Sequence, residues 1–266
     1  MGPPRLRANL LFGQSGCPIF HLMNTSQDST TLLHGPIRSR WGKTMVLDLT
    51  APQGHLVVER GSTLARGSVI VTTCARRLQE LSKAGDKVHA IVVVGQEGDP
   101  ATHPDLQSIT ENLRALRDKW FNRAKMMIIT AAPDLEDWGL RATLSMYDTL
   151  LYRFEWGTAK TYAAVTGEPQ TKLSKLTRQL SSFDHLVVQA SFFRGGLDNS
   201  TDTEVNNWIK KLREVGPREI HILTPAGERR KKVKPVTKFR REQIANEAAE
   251  ALGVEVSIHE DEPYLV

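Results

Sequence analysis

From Thr44 onward the chain alternates between short β-branched and aliphatic runs and longer stretches in which apolar positions recur every three or four residues. The short runs predict strands at Thr44–Leu49, Lys87–Val94, Lys125–Ala131, Asp148–Phe154, His185–Ala190 and Arg218–Leu223, with a shorter seventh at Val254–Ile258. The amphipathic stretches predict helices over 63–84, 105–121, 135–146, 158–180, 202–215 and 238–251, the fourth broken at Gly167-Glu168-Pro169. Thr201-Asp202-Thr203-Glu204 offers side-chain oxygens for orphan N–H groups and acidic charge for a first turn, and Pro104-Asp105 opens the second helix in the same way. A run such as Ala90-Ile91-Val92-Val93-Val94 fits a strand buried on both faces, and strict alternation of strand and helix implies a parallel sheet covered by helices. Six such units are fewer than a closed eight-stranded barrel needs. The expected fold is α/β, a partial (β/α)6 TIM-like barrel or a doubly wound sheet, with function at the carboxyl ends of the strands.

Composition narrows the class. The 266 residues, 24% charged and 40% hydrophobic, are enough for one large core. The apolar runs fall far short of the roughly 20 residues of a transmembrane helix, so no membrane association is expected. Residues 1–32 read as a disordered tail or upstream extension and 33–266 as the folded unit; the modest apolar stretch near the start is interrupted by Gln14, Ser15 and Gly16, which does not fit a secretory signal and leaves the cytoplasm as the expected location. Lys and Arg total 35 against 30 Asp and Glu, a formal charge of +5 that favours a phosphate-bearing partner without requiring nucleic acid. The only cysteines are Cys17 and Cys74, which excludes a disulfide framework, a four-cysteine zinc site and a cysteine-bound iron–sulfur cluster within one chain.

Polar residues gather where the predicted strands end. Gly95-Gln96-Glu97-Gly98-Asp99-Pro100 and the following Ala101-Thr102-His103-Pro104-Asp105 form a tight loop in which backbone N–H groups can face a ligand and carboxylates can hold an amine. The fourth strand runs into Glu155-Trp156-Gly157 and the fifth into Ser191-Phe192-Phe193-Arg194. After the sixth, residues 228–241 carry eight basic side chains, among them Arg229, Arg230, Lys231 and Lys232, which could contact a phosphate, a nucleotide or an RNA backbone. Sparse aromatic residues there, with Phe239 alone, argue against sequence-specific reading of a single strand. His89, His185 and His221 sit within predicted strands and read as core or rim histidines satisfied by backbone groups; His55 and Glu59, four apart, lack a nearby third ligand and read as surface polar residues. No phosphate-binding Walker loop, Gly-x-Ser-x-Gly elbow or His-Glu-x-x-His segment is present.

Read in order, these loops are similar to those of radical S-adenosylmethionine (radical SAM) proteins. His34-Gly35-Pro36-Ile37-Arg38-Ser39-Arg40-Trp41-Gly42-Lys43-Thr44 resembles a Gly-Pro-Val-Pro-Ser-Arg-Arg-Leu-Gly-Arg-Ser opening in one group of that superfamily. Gly98-Asp99-Pro100 resembles its Gly-Glu-Pro loop, with Thr102-His103-Pro104-Asp105-Leu106 following, and Tyr162, Gly167 and Pro169 match a stretch that begins at Glu155. Arg194 to Ser200, Thr224-Pro225 and Lys234-Pro235-Val236 resemble later loops, so the similarity spans about residues 33–258. The resemblance implies a partial barrel of the radical SAM type and a S-adenosyl-L-methionine (SAM) site that includes Glu97, Gly98, Asp99, Pro100, Glu155 and Ser191. It also implies a Cys-x-x-x-Cys-x-x-Cys run after the first strand, whose thiolates hold a [4Fe–4S] cluster. Residues 50–62 contain no cysteine, so no iron–sulfur cluster is expected and no other metal ligand set stands out. The resulting expectation is a degenerate relative, a non-catalytic module that binds a small molecule, a nucleotide or a partner. The alternative is a cluster-independent enzyme using SAM or another nucleoside, with Asp99, Glu97 or His103 in acid–base roles, while Trp156 fills space left by the absent cofactor.

Overall fold

The computed structural model describes residues 32–51, 64–224 and 233–259. The chain enters through an antiparallel hairpin, β1 (Leu33–Ser39) and β2 (Gly42–Asp48), turned at Arg40-Trp41. Strands and helices then alternate: α1 (Gly67–Lys83), β3 (Ala90–Val94), α2 (Leu106–Trp120), β4 (Lys125–Thr130), α3 (Trp138–Leu144) and β5 (Thr149–Arg153). Next come α4 (Ala159–Thr166), α5 (Leu173–Leu180), β6 (Leu186–Ser191), the two-residue β7 (Phe193–Arg194), α6 (Asp202–Val215) and β8 (Glu219–Leu223). A second two-residue strand, β9 (Lys234–Pro235), pairs with β7, and α7 (Lys238–Leu252) leads to β10 (Glu255–His259).

The main sheet has the order β1-β2-β3-β4-β5-β6-β8-β10, and every pair from β2 onward is parallel. Because spatial order follows chain order without reversal, successive crossovers advance in one direction, and their shared handedness puts the helices on one face. A doubly wound sheet needs a reversal point, which this order lacks; the sheet instead curls into the partial barrel, convex toward the helices. All seven strands predicted from the pattern are present as β2, β3, β4, β5, β6, β8 and β10. The long fourth helix does break, into α4 and α5, with Gly167 as the left-handed cap at φ +77° and Pro169 beyond it.

The two faces of the sheet carry different residues. Met45, Leu47, Ile91, Val93, Ile128, Tyr152, Val188 and Ile222 pack with the helices in the larger core. Alternate positions, Val46, Val92, Val94, Met127, Ile129, Leu151 and Val187, form a smaller apolar layer across the concave inner face. β1 was not legible in the pattern. Its centre is Gly35-Pro36, a cis peptide, and its register with β2 slips between His34 and Ile37, so the sequence reads as a turn although an edge strand tolerates proline. Leu32, just before β1, is buried and its carbonyl accepts from the Asp48 N–H at 2.9 Å.

Helix starts follow their side chains in most cases. Thr201 accepts from the Glu204 N–H, Thr237 from Arg240 and Thr158 from Thr161. Asp105 departs from the expectation: it stands at the N-cap of α2 without capping it, and its Oδ2 accepts from the Gly67 N–H at 2.9 Å, so it caps α1 next door. Among the described residues no helix is long and apolar enough to cross a membrane.

Candidate functional site

The carboxyl ends of the parallel strands form one rim, and the loop after β3 is tied to it by the Asp99 side chain. Asp99 Oδ1 accepts from the Ala101 N–H at 2.9 Å and from Thr130 Oγ1 at 2.6 Å, while Oδ2 accepts from the Ala131 N–H at 2.5 Å. Oδ1 therefore caps the short turn Pro100–Thr102, and both oxygens clamp the loop to the end of β4. Pro100, the first residue of that turn, is buried; Glu97 and Gly98 before it are exposed, with the Glu97 N–H donating to Thr50 Oγ1 at 3.0 Å. His103 is buried and uses both ring nitrogens: Nε2 is 2.9 Å from the Ala65 carbonyl, and Nδ1 accepts from the Asp105 N–H at 3.1 Å. Tyr152 donates to the Ala132 carbonyl at 2.8 Å, and burial, with the Asp99 charge nearby, holds its phenol well above the usual range.

The opposite part of the rim is tied by Asn199. Its Nδ2 donates to the carbonyls of Glu155 and Ser191, both at 2.9 Å, and its Oδ1 accepts from the Phe193 N–H at 2.8 Å. Glu155 and Ser191, both buried, are thus brought together by one amide that staples the loops after β5 and β6. Trp156 is not in the lumen: it packs against Phe154 at 5.1 Å and edge-on to Tyr162 at 5.2 Å, in the core under α4. The expectation that it fills a cofactor void is corrected by the register of β5, which carries Tyr152 and Phe154 outward on the helix side.

Two residues that the pattern did not single out are the most telling. Asp48, 1% exposed, has the strand parity of inner-facing Val46. Its Oδ1 accepts from the N–H groups of Thr50 and Gln96 and from Thr50 Oγ1, but Oδ2 is buried without a partner among the described residues. Gln189, also 1% exposed, shares the parity of inner-facing Val187, and both its amide oxygen and nitrogen are buried without partners. Native structures satisfy the large majority of buried polar atoms, so such orphans on the concave face mark positions that an external group can complete. The signal existed in the sequence: each is a polar break in an otherwise apolar strand.

The basic residues Arg229, Arg230, Lys231 and Lys232, together with His55 and Glu59, lie outside the described residues. At the described end of that basic stretch, Arg240 is engaged with the Ser200 carbonyl and with Asp202 at 2.7 Å, and buried Arg241 donates to Thr224 Oγ1. His89, exposed just before β3, accepts from the Lys43 N–H at 3.0 Å, and His185, just before β6, contacts the Leu144 carbonyl at 3.4 Å; His221 departs from the expected backbone partner, its Nε2 lying 2.7 Å from the Glu219 carboxylate.

With this geometry in hand, neither a protein-family model nor a curated protein matches the chain. Solved structures do. A radical SAM methyltransferase from Sphaerobacter thermophilus superposes with a TM-score of 0.57 at 13% identity, over 83% of this chain and 67% of that one. A domain of pyruvate-formate lyase-activating enzyme from Bacteroides vulgatus gives 0.46 at 14% identity, over 63% and 97%. A β-glucuronidase from an uncultured Clostridium gives 0.41 at 10% identity, over 76% and 40%. At such identities the methyltransferase comparison establishes what is shared as architecture: this chain has the partial α/β barrel found in a radical SAM enzyme.

A cluster held by three thiolates does not fit the residues present. Cys17 lies outside the described residues; Cys74, the remaining cysteine, is on α1, 2% exposed and turned into the core between helix and sheet. Burial pushes its thiol up to about 12, away from the thiolate a metal ligand must supply.

Proposed function

We propose that this chain uses a radical SAM-type half-barrel as a binding scaffold without radical chemistry, and that its carboxyl-end lumen takes a small polar ligand of the adenosyl class, SAM or S-adenosylhomocysteine. The observation that carries the reading is the pair of buried inner-face residues, Asp48 and Gln189, whose unpartnered atoms comprise one carboxylate oxygen and a complete amide. Leaving a buried polar group unsatisfied costs about 1–3 kcal/mol, so a ligand presenting donors to Asp48 and an acceptor or donor to Gln189 recovers free energy that the empty fold forgoes. An amino group suits the carboxylate, and a base edge or ribose hydroxyl suits the amide.

Asp99, the acid that stands in the Gly-Glu-Pro-like loop, is committed to three internal hydrogen bonds. In this reading it shapes the loop, and Asp48 takes the role of anion for the ligand's ammonium. Of the residues considered for acid–base work, Asp99 and His103 have both polar ends engaged, which supports binding over catalysis.

The test is calorimetric titration of the iron-free full chain with SAM and, in parallel, with S-adenosylhomocysteine. Saturable binding is expected, weakened at least about tenfold by Asp48→Asn and by Gln189→Leu, each about 1.4 kcal/mol or more. Absence of heat with both compounds, in protein shown to be folded by its cooperative melting, would overturn the proposal. Anaerobic reconstitution with iron and sulfide is expected to yield no stoichiometric four-iron cluster per monomer, and obtaining one would restore radical chemistry.

A further inference from the structure

Outside the lumen, and independent of the reading above, the helix layer carries a groove of about 760 Å³ between α3 and α5. Trp138, Arg141 and Ser145 border it along α3 at steps of three and four residues. Lys175, Arg178 and Ser182 repeat those steps along α5, so two helices turn matching stripes toward one opening. The other side of α5, with Leu173, Leu176 and Leu180, is buried in the core. Ala142 and Phe183, the latter 5% exposed, give the groove its apolar lining, and Trp138 borders it while 76% exposed.

One exposed ring is ordinary on a protein surface, and it is the charge beside this one that sets it apart. Arg141 and Arg178 both line the groove, and neither guanidinium meets an acid among the described residues; Lys175, by contrast, is paired with Glu136. No acid lines the groove, and those close by in the chain are engaged elsewhere. Asp137 accepts from the Leu140 N–H at the start of α3, and Asp134 accepts from the Glu136 N–H and lies 3.7 Å from Lys172 Nζ. Tryptophan and arginine around an apolar centre are the side chains on which protein interfaces concentrate their binding energy. Carboxylates match the two guanidinium forks, and an apolar side chain matches the indole and Phe183. A nucleic-acid strand fits less well, because its phosphates recur at every nucleotide. The cationic stretch is short, with Asp134, Glu136 and Asp137 at the Trp138 end and Asp184, next to Phe183, at the other.

We propose that the groove between α3 and α5 docks an acidic segment of a partner protein, whose carboxylates pair with Arg141 and Arg178 and whose large apolar side chain seats between Trp138 and Phe183. A helical segment meets these demands when its acids stand three or four positions from the apolar anchor, the same steps as the stripes that receive it. The groove belongs to the helix layer and not to the lumen, so a docked partner and a lumen ligand do not compete for space. Ion pairs at its open mouth make the contact sensitive to salt, while the apolar anchor retains part of the affinity.

The experiment selects a displayed library of random dodecapeptides on the immobilised full chain and, in parallel, on its Arg141→Gln/Arg178→Gln variant. Enriched peptides are then synthesised with a fluorescent label and titrated by anisotropy, beside a labelled decauridylate. Selection on the unaltered chain is expected to yield peptides with Asp or Glu three or four positions from a large apolar residue. Their binding is expected to weaken at least about tenfold with Arg141→Gln, with Arg178→Gln and with Trp138→Ser. Phe239→Ser, which removes another exposed ring on α7, leaves it unchanged. Melting temperatures report whether each variant folds. Should one fail, acrylamide quenching of the unaltered chain decides, because a peptide seated in the groove shields the exposed Trp138 indole. The proposal is overturned by a selection that enriches no sequence, by peptides without acids, by equal affinity for the arginine variants, by quenching that a bound peptide leaves unchanged, or by tighter binding of the decauridylate.

Discussion

Several side chains that resemble site residues in the sequence act as braces in the fold, and their hydrogen bonds show why. Asp99 holds the loop after β3 to the end of β4, and Asn199 holds two loops on the other side of the rim. Such roles were not legible, because a sequence shows a carboxylate or amide but not which distant carbonyl it meets. Asn199→Asp provides a sharp test. The replacement has nearly the same shape but puts a carboxylate oxygen where the donating Nδ2 stood, so the Glu155 and Ser191 carbonyls lose their donor and face a like-signed group. We expect a loss of about 3 kcal/mol in urea unfolding, consistent with leaving two buried acceptors unsatisfied. Asn199→Ser, which keeps one donor, is expected to lose less. Asp48 and Gln189 illustrate the opposite case: both were visible as polar interruptions of apolar strands, but only their burial and inward parity distinguish them from edge positions.

At the scale of elements, the alternation of β-branched runs with amphipathic stretches was sufficient to place seven parallel strands, since burial on both faces leaves a near-continuous apolar signature. It did not reveal β1, whose glycine and proline obscure the period, or the cross-capping of α1 by Asp105. The junction of α4 and α6 was equally hidden. The Glu204 carboxylate accepts from the N–H groups of Gly157 and Thr158 and from the hydroxyls of Thr158 and Thr161, so an acid expected to serve its own helix start binds the start of another. This draws the chain at Gly157 so close to α6 that a Cβ there would lie 2.1 Å from the Glu204 carbonyl oxygen and 2.8 Å from the Trp208 nitrogen. Both obstacles are backbone and cannot rotate aside. Gly157→Ala is therefore expected to destabilise by about 3 kcal/mol, measured by chemical denaturation, although reducing loop flexibility would by itself stabilise by up to about 1 kcal/mol. A neutral or stabilising result would show that α6 is not held this tightly.

For the whole molecule, the closed end of the barrel should govern the response to acid. His259 is held down from 6.5 to about 4, chiefly by burial and then by the Arg40 charge, and His221 is lowered chiefly by burial, opposed first by its hydrogen bond to Glu219 and aided more weakly by Arg40. In the unfolded chain both rings titrate near their ordinary value, so above pH 6.5 both states are neutral and the full stability is present. As pH falls from 6.5 toward 4 the unfolded chain binds protons that the folded one refuses, and stability is lost. Melting temperatures are expected to be level between pH 8 and pH 7 and to fall below 6.5, with a shallower fall in His259→Gln. An identical slope in the variant would remove this ring from the account.

The inner apolar layer that crosses the lumen has a consequence for how such a protein changes over time. Val46, Val92, Met127, Ile129, Leu151 and Val187 act as a bulkhead: they fill the middle of the half-barrel with groups that carry no charge and bind no water. A strand of five residues spans about 16 Å, so from β2 to β5 a substitution at one end is insulated from the other and free energies should add, whereas Gln189 of β6 and His221 of β8 are register partners and changes at these two should couple. The load of folding rests on the bulkhead and the helix-facing core, so the polar residues beyond it can be revised without renegotiating the fold.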